Sequence, residues 1–359
     1  MTGLKGDASS VLAAREMRVA VILPGVSRNP VGGFRAHYEY ANRLADRGHE
    51  VVVLSIMTSR IRRLVRRRAD PSRLVPWFSF GPRVSCLLSD GKTFPESDVA
   101  VLTAWQTAEL VPLLRGRARR TVHLAYDYEF WNSASEVERA RMSAAFAQPD
   151  VTVAGSSAVR HMLEEAGRAV AATIPCGIDH SAFFVSRPVT NREPVAGFLA
   201  RASPVKRHID AIDALARVRQ IRPVRVRALA SGSIELPAWI ERVSAPSDSL
   251  MRDFYNSLSV FLLPSEYEGW GLPAAEAMAC GTAVISTRNG GVEDFAIDGE
   301  NAWLVPTRDP DALASACARV LDDDATRLRM VTAGLETIRS MDWDRSVTAL
   351  EAVLCVGLS

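Results

Sequence analysis

The 359-residue chain contains no run of 18 consecutive apolar residues, so no membrane-spanning helix is expected of it. Its first 16 residues, MTGLKGDASSVLAARE, lack the apolar core of a secretory signal and read as a disordered lead-in. The five cysteines, Cys86, Cys176, Cys280, Cys317 and Cys355, are odd in number, scattered and without CxxC spacing. That usage argues for reduced thiols in a cytoplasmic protein and against a zinc site. The six histidines show no metal-ligand spacing either, so no metal is expected. After the first apolar run, PGVSRNPVGG does not supply the GxGxxG of a nicotinamide-binding unit. Neither a repeat nor a low-complexity tract stands out.

What is present is enough apolar material for two cores. Apolar residues make up 48% of a chain too long for one ordinary domain, and two domains of about 170 residues are the natural division. The formal net charge of +2 gives no case for a nucleic-acid partner. It is unevenly placed, with 24 basic against 18 acidic residues up to position 185 and 19 against 23 beyond it. Much of the basic excess lies in RIRRLVRRR (Arg60 to Arg68) and RGRARR (Arg115 to Arg120). Such runs suit an anionic acceptor or lipid headgroups, or are simply solvated surface.

The most informative stretch is SVFLLPSEYEGWGLPAAEAMACGTAVISTRNGGVEDFAIDGENAWLV, from Ser259 to Val305. Val260 to Leu263 is an apolar run without alternation that stops at Pro264, which predicts a buried parallel strand. Pro273 fits the first turn of a helix, Ala274 to Ala279 continue it, and Gly281 ends it before a second strand, Ala283 to Ser286. Glu268 then lies in the loop before the helix and Glu276 about one turn inside it. Between them Gly269, Trp270, Gly271 and Leu272 leave a backbone low in bulk. Unpaired N–H groups at a helix start can face a diphosphate, and two carboxylates can accept hydrogen bonds from sugar hydroxyls.

These residues carry a family resemblance. Glu268, seven residues, then Glu276, inside PSEYEGWGLPAAEAMACGTAVI and followed by GGVEDFAIDGENAWLV, resembles the E-x7-E signature of the family 4 glycosyltransferases, retaining enzymes of the GT-B fold. The resemblance implies that Glu268 contacts donor-sugar hydroxyls and Glu276 the nucleotide ribose. It also gives a role to Arg201 and Lys206, which sit five apart between a strand, Val195 to Leu199, and a helix, Ile209 to Val218. Two cations there are placed to neutralise a diphosphate.

In the first half, Arg18 to Leu23 reads as a strand, Pro24 to Gly33 as a loop, Phe34 to Arg47 as a helix and Glu50 to Leu54 as a strand, a βαβ opening. Further strands are expected at Val84 to Leu88, Val99 to Leu102, Val122 to Ala125 and Val151 to Ala154, making a doubly wound sheet with ligands at its carboxyl ends. By resemblance, Gly32 and Gly33 approach the donor phosphates; a plain tight turn is the alternative. After Ala125 comes YDYEFW, where many family members carry a His-Asp pair; here Tyr126 precedes Asp127. Asp127 and Glu129 are the candidates for holding the acceptor hydroxyl, Asp127 being counted with the catalytic residues, and strand-end caps are the other reading. IPCGIDHSAFF resembles a Pro-Asn-Gly-Val-Asp element of the family with Cys176 in the asparagine's place.

The expected organisation is a lead-in over 1–16, an acceptor-binding Rossmann-like domain over 17–185, a nucleotide-sugar-binding one over 186–340, and a final helix over 341–359 that crosses back. Val224 to Ala230 and Trp239 to Ser244 are read as strands of the second domain, with Pro246 near the base pocket. The expected activity is retaining glycosyl transfer from an NDP-sugar to an acceptor hydroxyl, with no metal and no cofactor. The acceptor, a saccharide, natural-product aglycone or lipid-linked glycan, and any peripheral membrane contact are left open. A sugar-nucleotide epimerase, a phosphorylase and a non-catalytic donor-binding subunit share the fold and remain alternatives.

Overall fold

The computed structural model describes residues 16–28, 31–57, 73, 75–190, 192–230, 232–244 and 247–358. Most of the lead-in, the arginine run Arg60 to Arg68 and Pro246 lie outside the described residues.

Runs of Val, Leu, Ile and Ala without alternation become strands buried on both faces, and the chain forms two parallel sheets of them. The first contains β1 (Arg18–Leu23), β2 (Glu50–Ile56), β3 (Val84–Ser89), β4 (Ser97–Leu102), β5 (Ala118–Ala125), β6 (Val151–Ala154) and the short β7 (Ala172–Thr173), in the order β3-β2-β1-β4-β5-β6-β7. The second contains β8 (Val195–Ala200), β9 (Arg225–Ala230), β10 (Ile240–Val243), β11 (Val260–Leu263), β12 (Ala283–Thr287) and β13 (Trp303–Val305), in the order β10-β9-β8-β11-β12-β13. Every residue of β8, β11 and β12 is buried, as strands covered by helices on both sides require.

The helices of the first half are α1 (Gly32–Asp46), α2 (Trp105–Ala108), α3 (Val111–Leu114), α4 (Tyr128–Ser133), α5 (Glu136–Phe146) and α6 (Ser157–Glu165). The second half carries α7 (His208–Ile221), α8 (Asp248–Asn256), α9 (Leu272–Ala279), α10 (Pro310–Asp322), α11 (Asp324–Arg339) and α12 (Trp343–Cys355). No described helix is long and apolar enough to cross a membrane.

Three differences from the sequence reading matter for the site. α1 starts at Gly32, so both glycines are its first turn and not the end of a loop. α8 was not anticipated, although Ser247 caps it by accepting from the Leu250 N–H. Finally, Arg115 to Arg120 lies at the start of β5, at the opposite end of the sheet from the strand ends that bind ligands in such folds. Arg117 and Arg119 there face Glu96 and Asp98 at 3.8 Å, so this run does not meet an acceptor in the cleft.

The last helix packs on the first half. Arg47 and His49 both reach Glu351, at 2.8 and 2.9 Å, and Trp343 meets the Tyr40 ring edge-on at 5.2 Å.

Candidate active site

Counted within each half, both sheets share the strand order 3-2-1-4-5-6, which reverses direction once, between β1 and β4 and between β8 and β11. Crevices at the carboxyl ends of such strands are where this architecture binds ligands. Here the two crevices face each other and bound one cavity of about 510 Å³. Leu23, Pro24, Thr103 and Ala104 line it from the first sheet, and Leu199, Arg201, Leu263 and Ser265 from the second.

Gly32 and Gly33 line the same cavity at the start of α1. Val31, the residue before the helix, provides no side-chain cap, and a Cβ on either glycine would meet nothing within 4 Å. An uncapped first turn without bulk presents donor N–H groups and the positive end of the helix dipole to the cavity. The start of α9 faces it likewise. Gly271 precedes that helix with φ of 101°, where a side chain is strained and where its Cβ would lie 2.6 Å from Val292. Gly269 brings the loop against the other half, since a Cβ there would approach the Tyr126 carbonyl to 3.1 Å. Trp270 is buried, packs on Phe295 at 5.0 Å and leaves its indole N–H without a partner; with Leu272 it completes this wall.

Glu268 and Glu276 occupy different surroundings. The Lys206 ammonium lies 3.1 Å from Glu268 Oε2, and the Ser265 hydroxyl donates to Oε1 at 2.7 Å. Glu276, on the fifth residue of α9, accepts from Tyr255 Oη at 3.0 Å and lies 4.0 Å from the Arg35 Nε. Burial pushes its pKa up to about 7; Arg35, Tyr255 and Arg201 act against that, and Asp248 with it. Glu276 lines a second, small cavity of about 40 Å³ that adjoins the first and shares Gly32, Arg201 and Leu272 with it.

Arg201 follows β8 and borders both cavities. Burial lowers its pKa, while Tyr255, Glu276 and Glu268 raise it. Lys206 ends a single turn of 3-10 helix, Pro204–Lys206, between Glu268 and the opposite wall. Burial pulls the pKa of its ammonium down, but Glu268 and Glu129 outweigh that and leave it raised.

Both first-half carboxylates expected to hold an acceptor are engaged by the protein. Asp127 is 2% exposed; its Oδ1 accepts the Trp105 N–H that opens α2 at 3.0 Å, and its Oδ2 lies 3.1 Å from His123 Nε2. Both contacts fit a strand-end cap, since the N–H that opens α2 and the buried imidazole each need an acceptor, while Asp127 also lines the large cavity. Glu129 crosses the cleft, with Oε2 2.8 Å from the Lys206 ammonium and Oε1 accepting from Ser203 at 2.9 Å. It lines the large cavity beside the Lys206 ammonium.

Several cleft residues escaped sequence reasoning. Tyr126 and Cys176, the two departures from the family wording, touch: the thiol donates to Tyr126 Oη at 3.1 Å. His37 lines the cavity from α1, edge-on to Tyr126 at 5.5 Å, and burial together with the nearby His123 pushes its pKa down to about 3. Its imidazole is thus neutral at ordinary pH. Arg35 forks onto Asp248 of α8 at 2.6 and 2.7 Å. The recurrence of Arg35, Glu39 and Arg43 at helical spacing in a helix that must bury one face was the available signal for this group. Among the described residues no three His, Cys, Asp or Glu side chains come together to hold a metal ion.

Comparison with known proteins agrees with this architecture. The family described as "Glycosyltransferase Family 4" matches residues 31–182, and "Glycosyl transferases group 1" matches residues 193–323. A D-inositol 3-phosphate glycosyltransferase of Acidothermus cellulolyticus is 36% identical over 135 residues, 38% of this chain and 30% of that protein. One from Corynebacterium diphtheriae is 39% identical over 99 residues, 28% of this chain and 23% of its own. The matched stretch thus spans less than a third of the length of these curated relatives. Sucrose-phosphate synthase from Thermosynechococcus elongatus has the same fold, with a TM-score of 0.76 at 19% identity over 94% of this chain and 98% of that one. Anabaena HepE, solved in complex with UDP-glucose, superimposes with a TM-score of 0.75 at 17% identity over 94% and 99%. With one half matched by each profile and the whole sharing the GT-B architecture, the chain belongs to glycosyltransferase family 4.

Proposed function

We propose that the protein transfers a sugar from a nucleoside-diphosphate donor to an acceptor hydroxyl with retention of configuration. The observation that carries this is convergence: Arg201, Lys206, Glu268 and the uncapped start of α1 at Gly32 and Gly33 all border one cavity. A diphosphate set there meets two cations and a helix N-terminus, which together stabilise its charge as the sugar departs. Glu268 then faces the sugar hydroxyls. Glu276, one turn deeper beside the smaller cavity, accepts from the ribose. HepE was solved with UDP-glucose, which makes a uridine donor the first to test.

In this reading the bond from the anomeric carbon to the diphosphate breaks, and the acceptor oxygen bonds to that carbon on the same face. The acceptor's proton passes to the departing phosphate oxygen. Positioning and charge stabilisation supply the catalysis, and the two cations serve where a divalent metal otherwise would, so no metal or cofactor is invoked. Glu129 gives Lys206 a counter-charge that an arriving diphosphate replaces. A lipid-linked acceptor would bring Arg60 to Arg68 to an anionic surface; liposome binding after changing three of these arginines to glutamine tests that part.

The function is tested by melting the protein with UDP-, dTDP- and GDP-sugars, since a ligand of the native state raises the melting temperature. Product analysis by NMR then follows with the stabilising donor. A retained anomeric configuration in a new glycoside supports the reading. An isomerised nucleotide sugar, or turnover that requires inorganic phosphate, replaces it with an epimerase or a phosphorylase.

A further inference from the structure

We infer that Arg35 is a positioning residue for the donor nucleotide: reaching from α1 to Asp248 and Glu276 on the opposite wall, it keeps the Glu276 carboxylate in the ionised form that accepts hydrogen bonds from a ribose. The inference rests on the ribose role proposed above for Glu276.

The geometry is that of a built device and not of a surface pair. The Arg35 side chain is 11% exposed, and Asp248 takes both terminal nitrogens at 2.6 and 2.7 Å. That fork fixes the guanidinium plane and turns Nε toward Glu276 Oε1, 4.0 Å away. Phe183 lies under the guanidinium at 5.4 Å, and Glu39 approaches it at 3.7 Å. An arginine so held has little freedom to seek another partner, and its charge stays shared among Asp248, Glu39 and Glu276.

Glu276 needs that charge. It is 3% exposed, and an isolated carboxylate so buried takes up a proton. The groups facing it are Arg35 from α1, Tyr255 and Asp248 from α8, Arg201 after β8, and the thiols of Cys176 and Cys280. Burial raises its pKa most, to about 7 in all, while Arg35 acts toward the ionised form and Asp248 toward the neutral one. Breaking the Arg35–Asp248 pair from its two ends should therefore have opposite effects on Glu276. A mere clasp between the walls would not behave so.

The test is calorimetric binding of UDP-glucose from pH 5.5 to 8.5, with GDP- and dTDP-glucose as alternatives. A diphosphate diester is used because it does not titrate in this range, unlike a free nucleoside diphosphate. In the native protein affinity should fall as the pH drops through about 7. Arg35→Met should move that midpoint up to about pH 8 or above and cost about tenfold in affinity at pH 7, and Arg35→Lys should restore part of it. Asp248→Asn, which breaks the same ion pair, should move the midpoint below that of the native protein. Midpoints that stay together while both variants weaken binding equally overturn the inference and leave a clasp. No binding of any of the three donors by the native protein at any pH overturns the proposed function and the inference with it. Should Arg35→Met fail to fold, Arg35→Gln, which keeps a polar side chain without the charge, decides in its place: an upward shift supports the inference, and an unmoved midpoint ends it.

Discussion

The two walls of the cleft rest on the same strand order but give their carboxylates different partners. On the second wall, Arg201, Lys206 and Glu268 lie in loops that directly follow β8 and β11, and all three border the large cavity. On the first wall, Asp127 stands at an equivalent strand end, yet both its oxygens are spent on Trp105 and His123. Glu129, two residues later, is spent on Lys206 and Ser203. Glu268 is engaged too, by Lys206 and Ser265, but these and the partners of Glu129 line the cavity themselves, whereas Trp105 and His123, which hold Asp127, do not. Predictions that remove one charge at a time test this contrast.

The largest effect is expected at Lys206, which joins the walls. Lys206→Ala removes the cation proposed for the diphosphate and leaves Glu129 and Glu268 without the ammonium they share. Truncating one partner of a buried charge pair costs about 4 kcal/mol, or roughly a thousandfold in transfer rate. Arg201→Ala removes the second cation bordering the cavity and should cost about 2 kcal/mol, roughly thirtyfold. Single-turnover transfer with a saturating acceptor measures both. Equal losses would mean that the carboxylates around Lys206 do not matter to its role.

Next comes Glu276, where function and stability oppose each other. A carboxyl group whose pKa rises from 4.5 unfolded to about 7 folded contributes stability below the unfolded value and loses it as the pH rises through 7. Glu276→Gln does not titrate. Its unfolding free energy relative to the native protein should therefore improve by about 3 kcal/mol between pH 4.5 and pH 8, while nucleotide affinity falls. Denaturant unfolding at several pH values checks the sign, and a gap that does not grow with pH would place Glu276 in an environment less buried than the one described.

Much of the second wall was legible because its signals are local. A non-alternating strand, a loop, Pro273 in a first turn and an alanine-rich helix lie within one stretch, so spacing alone sets Glu268 before α9 and Glu276 inside it. The first wall is assembled from distant pieces. His37 from α1 meets Tyr126 after β5, which meets Cys176 fifty residues on, and no spacing rule connects them. α8 was missed because DSLMRDFYN is short and polar on one face, and with it went Asp248 and Tyr255, two of the groups that tune Glu276. Gly32 and Gly33 were recognised as important but placed in the loop, since glycine is a poor helix former and only the tertiary setting admits it to a first turn.

A smaller effect should separate Glu268 from its partner glutamate. Glu268→Gln keeps the shape and the Ser265 contact but weakens hydrogen bonds to sugar hydroxyls and releases one partner of Lys206. Transfer should slow by about 2 kcal/mol, roughly thirtyfold, with affinity for UDP little changed. Loss of UDP affinity here, with Glu276→Gln binding it normally, would reverse the two assignments.

The smallest effect in catalysis is expected where the sequence placed an acceptor contact. Asp127→Asn retains a carbonyl oxygen that can accept the Trp105 N–H, but its amide replaces the oxygen that faces His123 Nε2. If Asp127 serves the fold, the change should cost about 1 kcal/mol of stability, the usual worth of a helix-end acceptor, and leave the acceptor KM and kcat within about twofold. If it holds the acceptor hydroxyl, the acceptor KM should rise at least tenfold while the melting temperature barely moves. The two readings thus exchange which quantity changes, and measuring both on one variant decides whether the first wall binds its acceptor through this carboxylate or through the uncharged groups around it, His37 and Tyr126 among them.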